Sequence, residues 1–329
     1  MDPSGRQRNL SWILAAVCLA GWIWGGGPES RTPYFFGAGP FFGLAGLGFL
    51  LSFAGRALGR PGAAATAWIT AAVFLAYAAM ELFFQRVPLR VPVVPDGPAA
   101  AAFVGIVNEY ILDRSYQYVA ILVLWLLLRR FLTGVPVPAD DGRPAPDDGP
   151  GELPASEPAG WTTFLRFGDP SRETTILGGA QPMTWTRVAI RIGVMLLLLG
   201  GAHAWLRMDR PVDGVLLATL GGRWLGGFNN SLIEELVFRA LLLPALATTL
   251  RPGAANLFQA AFFAVIHYTC LPEWELAAVA AEAGRLLLYL GIGWLLGRSA
   301  WETRGIAVST ALHFLVTGIL WTTLVLMGR

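Results

Sequence analysis

The chain contains no lysine, so all 24 of its basic side chains are arginine. We attribute that bias to the base composition of the genome rather than to chemistry. The arginines are scattered at the ends of apolar runs, and the formal net charge is only +2. The net charge is therefore uninformative about nucleic acid, and no nucleic-acid partner is expected. Charge of either sign is scarce, at 14% of residues, against about a quarter in a soluble domain. There are two cysteines, Cys18 and Cys270, each inside an apolar run. They read as small buried hydrophobes, not as a disulfide or a metal site. Also missing are an internal repeat, a phosphate-cradling glycine loop, a Cys-x-x-Cys pair, a Gly-x-Ser-x-Gly elbow and a His-Glu-x-x-His zinc motif.

What fills the chain instead is hydrocarbon: 55% of its 329 residues are hydrophobic and the mean hydropathy is +0.54. Apolar runs near the length of a bilayer span occur at Leu10–Gly26, Phe35–Ala54, Ala63–Phe84, Tyr116–Leu132 and Thr184–Leu206. Four more follow at Ser231–Leu250, Ala254–Leu271, Leu276–Leu296 and Gly305–Met327. Ala99–Leu112 is short and ends in Asn108-Glu109. Gly214–Phe228 carries Arg223 and several glycines, and reads either as a span or as the start of one long bent element with the next run. The expected fold is an all-α, polytopic transmembrane helix bundle of about eight to ten helices.

Between Gly134 and Pro182 the composition changes to Pro, Asp and Gly, beginning Val135-Pro-Val-Pro-Ala-Asp-Asp-Gly-Arg-Pro. Proline removes helical donors and the acids resist burial, so a solvated, disordered linker is expected. The implied organisation is N-terminal transmembrane helices over 1–133, a hydrophilic linker over 134–183 and a second transmembrane bundle over 184–329. Trp161–Phe167 is expected to touch the membrane surface. The first span follows Arg6 and Arg8 and lacks an A-x-A-type cleavage site, so it reads as a retained anchor. Those arginines, with Arg56, Arg60, Arg129 and Arg130, favour a cytoplasmic N-terminus, while Arg86, Arg90, Arg207 and Arg210 oppose it. A multi-pass protein of the inner (plasma) membrane is the expected location.

The most informative segment is Ser231-Leu-Ile-Glu-Glu-Leu-Val-Phe-Arg-Ala-Leu-Leu-Leu243. A carboxylate at membrane depth costs roughly 2.5 to 3.5 kcal/mol even on a lenient insertion scale, so two in a row need partners. On a helix, Glu235 and Arg239 are four apart and share a face, acid before base. Glu234 points about 100° away. One acid is expected to be anchored and the other free. His267 and His313 stand on later apolar runs, and Thr317 follows His313 by one helical turn. His203 fits no motif and is assigned to structure. Glu282 and Arg285 are expected to pair with each other, and Glu81 reads as an interfacial side chain.

Glu234-Glu235-x-x-x-Arg239, then Phe263-x-x-x-His267, then His313-x-x-x-Thr317 resembles the three-motif signature of the CPBP family. These CAAX protease and bacteriocin-processing proteins are intramembrane endopeptidases and include the type II CAAX prenyl endopeptidase. The resemblance covers roughly residues 184 to 327 and takes in Gly293 and Gly297 before the third motif. It implies that Glu234 and His267 hold and activate the hydrolytic water. Glu235 and Arg239 would support Glu234, and His313 and Thr317 would stabilise the oxyanion. Phe263 is implied only as a supporting motif residue. Two positions depart from the pattern. Thr317 stands where Asn or Asp is usual, and Ala240 replaces the Gly that usually follows the arginine.

The implied substrate is a membrane protein or lipidated peptide in the bilayer, prenylated or carrying a sorting signal. No cofactor is obligatory. A divalent metal such as zinc, if used, would fall to Glu234, His267 and His313. The competing readings are an ion-coupled transporter and an inactive scaffold or immunity protein of the same fold. The absence of paired repeats weighs against the transporter. Convergence of Glu234, His267 and His313 on one cavity is what the enzyme reading requires.

Overall fold

The computed structural model describes residues 3–24, 31–32, 35–36, 38–86, 96–129, 131–132, 135–136, 158–159, 166–176, 181–206, 208, 211–267 and 276–326. These residues are overwhelmingly helical, as the all-α reading required. Helices α1 (Pro3–Trp24), α2 (Ala38–Ala57) and α3 (Pro61–Arg86) pack as an N-terminal group. Small residues allow the close approach typical of membrane helices: a Cβ on Gly48 would fall 2.9 Å from that of Ala71. Gly59, at φ 68°, turns α2 into α3. Phe49 meets Trp68 edge-on at 4.9 Å in the core of this group, beside the buried Cys18.

Next, α4 (Pro98–Ile106) runs through a π-helical turn at Val107–Leu112 and a 3-10 turn at Asp113–Tyr116 into α5 (Gln117–Leu128). Ala99–Leu112 is therefore no separate span but the lead into α5. α6 (Trp185–Leu206) follows, then α7 (Gly214–Glu235), a π-helical turn at Leu236–Leu242 and α8 (Leu243–Ala247). The glycine-rich run and the Glu-Glu run thus form one continuous element, so Ser231–Leu250 is not a span of its own. Asp213 caps its start by accepting from Leu216 N at 2.7 Å. α9 (Pro252–Ile266), α10 (Leu276–Thr303) and α11 (Ala307–Leu326) complete the bundle.

Among the described residues three helical segments are long and apolar enough to cross a membrane: Pro61–Met80, Trp185–Leu206 and Ala307–Leu326. The 22 residues of α6 extend about 33 Å, matching a hydrocarbon core of about 30 Å. α6 exposes Ile190, Val194, Leu197, Leu198 and Leu199, an apolar surface suited to lipid. Apolar helices at Asn9–Ala20, Phe41–Ala57, Gln117–Leu128 and Pro252–Ile266 are shorter.

The two halves share one core. Ile69, Val73, Ala76, Leu124 and Leu128 from the first half cluster with Val237, Phe238, Leu241 and Leu242 from the second. Most of the Pro/Asp-rich segment lies outside the described residues, but its last part packs rather than floats. Arg166 and Phe167 carbonyls accept from Ile306 N and Ala307 N at 3.1 and 3.2 Å, and Asp169 N donates to Thr303 O at 2.7 Å. This clasp follows the α10–α11 turn, where Arg304 has φ 55° and Gly305 N reaches back to Ala300 O at 3.1 Å. Gly168, at φ 81°, fits against Gly305 so closely that neither leaves room for a side chain. Of the expected surface-touching segment, Phe167 is exposed and 161–165 lies outside the described residues. So do Cys270 and the side chains of Glu81 and Glu282, so the expected Glu282–Arg285 pair lies outside the described residues.

Candidate active site

Glu234 and Glu235 end α7, and the π-helical turn that follows contains Arg239. Wide turns of this kind recur at functional sites. Glu235 and Arg239 are both fully buried, with Arg239 Nη1 2.9 Å from Glu235 Oε1. The same Oε1 lies 2.9 Å from His313 Nδ1 on α11. Arg239 Nη2 donates to Gly293 O at 3.3 Å, and the guanidinium sits 4.6 Å over the Phe263 ring. Glu235 is therefore held from two sides, and its direct contact is to His313. The resemblance implied support for Glu234; the contacts of Glu235 are to Arg239 and His313.

Glu234 is nearly buried and faces the other way. Its Oε1 accepts from Asn230 Nδ2 at 2.8 Å, one turn earlier on α7. Its Oε2 lies 3.5 Å from His267 Nε2 and 3.6 Å from His313 Nε2. His267 follows the last residue of α9, where the helix has already ended, and its Nδ1 is 2.7 Å from Phe263 O. A carbonyl only accepts, so Nδ1 carries the proton and the neutral ring offers an Nε2 lone pair towards Glu234. Against the ion-paired Glu235 carboxylate, His313 takes the same tautomer. Tyr289 stacks on His267 at 4.4 Å with 23° between planes, and Phe263 meets His313 edge-on at 5.5 Å.

These groups open onto a cavity of about 280 Å³ lined by Glu234, His267, His313 and Thr317, with Arg114 and Asn230 at its polar side. Thr317 is half-buried, and among the described residues its hydroxyl has no hydrogen-bond partner. Thr322 and Thr323 on the same helix do bond back, to Gly318 O and Ile319 O at 2.8 and 3.0 Å. The structure thus brings Glu234, His267, His313, Thr317 and Phe263 to one cavity and places Glu235 and Arg239 behind them. His203 is exposed on α6, away from this cavity.

Sequence reasoning missed Asn230, although it stands four residues before Glu234 on one helical face. It also missed Arg114, whose guanidinium donates to Asn230 Oδ1 across 116 positions. Gln259 and Asn256 were missed too. Gln259 Nε2 donates to Gly293 O at 2.8 Å, and Asn256 Nδ2 to Trp294 O at 3.0 Å. These bonds fasten α9 to α10 where Gly293 and Gly297 permit close contact.

Residues 216–319, from the first turn of α7 into α11, match the model of the type II CAAX prenyl endopeptidase Rce1-like family. The match supports the resemblance of this segment to the CPBP, or CAAX protease, family. Its members are membrane-embedded proteases, and the apolar helices of this chain accord with that setting. No curated protein and no solved structure matches the chain.

Proposed function

We propose that the protein is an intramembrane endopeptidase that hydrolyses a peptide bond of a membrane-associated substrate through water activated by Glu234 and His267. The observation supporting this most directly is the approach of His267 Nε2 and His313 Nε2 to one oxygen of Glu234 at the wall of a cavity. In the proposed reaction the Glu234 carboxylate, aided by His267 Nε2, takes a proton from water. The resulting hydroxide attacks the substrate carbonyl carbon. Collapse of the tetrahedral intermediate breaks the C–N bond, and the proton passes to the leaving amine. Positioned general-base catalysis contributes typically about 10²–10⁴ in rate.

Thr317 supplies a hydroxyl for the oxyanion. His313 donates there from Nε2 only as the imidazolium, because its Nδ1 proton is already committed to Glu235. A cavity of about 280 Å³ lies at the small end of ligand sites, so it suits the peptide around the scissile bond. A lipid tail would rest against the apolar outer surface of the bundle. The substrate class is a prenylated or otherwise lipidated peptide, or a membrane protein with a sorting signal. In this reading the protein is a multi-pass protein of the inner (plasma) membrane, built from N-terminal helices, a Pro/Asp-rich connection and the catalytic bundle; Arg6, Arg8, Arg56 and Arg60 support a cytoplasmic N-terminus.

Zinc would require two imidazole nitrogens and a carboxylate oxygen, which is the right chemistry. Yet among the described residues no three His, Cys, Asp or Glu side chains are arranged as a metal-binding group. The reading therefore routes no step through a metal. Activity lost to a chelator and restored by zinc would replace it with a metal mechanism.

The test is purified protein in liposomes, offered a prenylated C-terminal peptide, its unprenylated counterpart and a single-span peptide in H₂¹⁸O. The expected result is cleavage of at least one peptide, with one ¹⁸O in the new carboxyl group. No cleavage across the panel, together with identical membrane-protein termini in cells with and without the protein, would overturn the reading.

A further inference from the structure

The acid held at the cavity is fastened from a part of the chain that lies outside the family match. We propose that Arg114 and Asn230 form a positioning relay that fixes the Glu234 carboxylate, so that the N-terminal half of the chain completes the active site. This rests on the hydrolase reading of the same cavity.

Chemistry sets the direction of the relay. Arginine only donates, so the Asn230 atom facing Arg114 is the amide oxygen. The amide NH₂ is left for Glu234 Oε1, which it reaches at 2.8 Å. With Oε1 engaged, rotation of the carboxylate is restricted, and Oε2 is the oxygen presented to His267 and His313. The interposed amide also explains how an arginine can stand beside a base without disabling it. A guanidinium in direct contact could take both carboxylate oxygens in a bidentate fork. Through the amide, only one oxygen is engaged and the other stays available for water.

The placement of Arg114 is set by a long interface. Gly222 leaves space for Ile106, where an added Cβ would fall 3.0 Å from the Ile106 methyl. One residue on, Arg223 lies 3.9 Å from Glu109. Tyr118 Oη donates to Asn229 Oδ1 at 3.0 Å. The 106–118 segment is thus docked along α7 at several levels, and Arg114 is delivered at the level of Asn230. The alternative occupant for Arg114 is the substrate itself, because the guanidinium also lines the cavity.

The experiment compares wild type, Arg114→Lys, Arg114→Gln, Asn230→Ala and the Arg114→Gln/Asn230→Ala double variant in liposomes. Both kcat and KM are measured on a cleaved peptide, and thermal unfolding is measured on the same samples. A relay predicts that Arg114→Gln and Asn230→Ala each lower kcat by about 10- to 100-fold, the range for outer-shell support, with KM within about twofold. The double variant should be no slower than the worse single, and its unfolding midpoint should fall by less than the sum of the two. Arg114→Lys should recover part of the kcat loss.

A raised KM with unchanged kcat would mean that Arg114 binds substrate, and it overturns the relay. Multiplicative rate losses with additive midpoints overturn it as well. Variants as fast as an active wild type sink the relay alone. A wild type that cleaves nothing sinks the hydrolase reading and, with it, the positioning role.

Discussion

The buried Glu235–Arg239 pair offers a sharp separation of stability from chemistry. Both side chains have no exposed surface, and among the described residues Glu235 also meets His313 Nδ1 while Arg239 meets Gly293 O and the Phe263 and Phe238 rings. Removing one partner of such a pair strands a charge in low dielectric, which costs about 3–5 kcal/mol. Arg239→Met and Glu235→Met should each destabilise by that amount, lowering the folded-to-unfolded ratio by more than about 10²-fold. Replacing both by methionine removes both charges and fills similar volume, so the double variant should return to within about 2 kcal/mol of wild type. Activity should not return with it. In the double variant His313 Nδ1 has lost its acceptor, and the ring is free to take the wrong tautomer or rotate. Chemical unfolding of detergent-solubilised protein gives the stability cycle, and peptide cleavage gives the rate. Single-variant losses below about 1 kcal/mol would show that the pair is not desolvated. Full activity in a stable double variant would refute the orienting role of Glu235.

Thr317→Val, close in shape but without the hydroxyl, should lower kcat, with about 10²–10³-fold as the ceiling for one oxyanion donor. Thr317→Asn should preserve or raise it, and equal rates for wild type and Val would remove Thr317 from the reaction. Gly168→Ala should destabilise by about 1–3 kcal/mol, because φ 81° disfavours a side chain and a Cβ there would fall 2.7 Å from Thr303 O. Its kcat should stay at the wild-type value once the protein is folded. An unchanged midpoint would mean that the clasp on the α10–α11 turn does not form.

Much of the site was legible because its logic is local. Glu235 and Arg239 are one turn apart, and the 100° offset sends Glu234 to the other side. Helical geometry therefore separated the acid paired with Arg239 from the one facing the cavity, but the sequence reading of Glu234 as free missed its bond from Asn230. Asn230 was equally legible, four residues before Glu234, but an asparagine in a glycine-rich run carries no charge to draw attention to it. Other features depend on long-range packing and left no local trace. Arg114 reaches Asn230 only because α4 and α5 dock along α7. The contact of Glu235 with His313 spans 78 positions.

The helix boundaries stayed open for a different reason. Apolar runs measure hydrophobicity, not continuity. Hydropathy left 214–247 as either two runs or one long bent element, and the backbone continues through a π-helical turn as one. Composition likewise marked 134–183 as solvated throughout. Backbone hydrogen bonds from Ile306 and Ala307, invisible to composition, tie its last part to the fold.

The most direct test of the central claim is the cleavage rate of Glu234→Gln in liposomes, measured beside wild type on a peptide that wild type cleaves. Gln keeps the shape of the side chain and can still accept from Asn230, but it cannot take a proton from water. The account predicts loss of turnover by at least about 10²-fold, with normal insertion and an unfolding midpoint at or above that of wild type. Turnover at the wild-type rate would contradict it and remove Glu234 as the base.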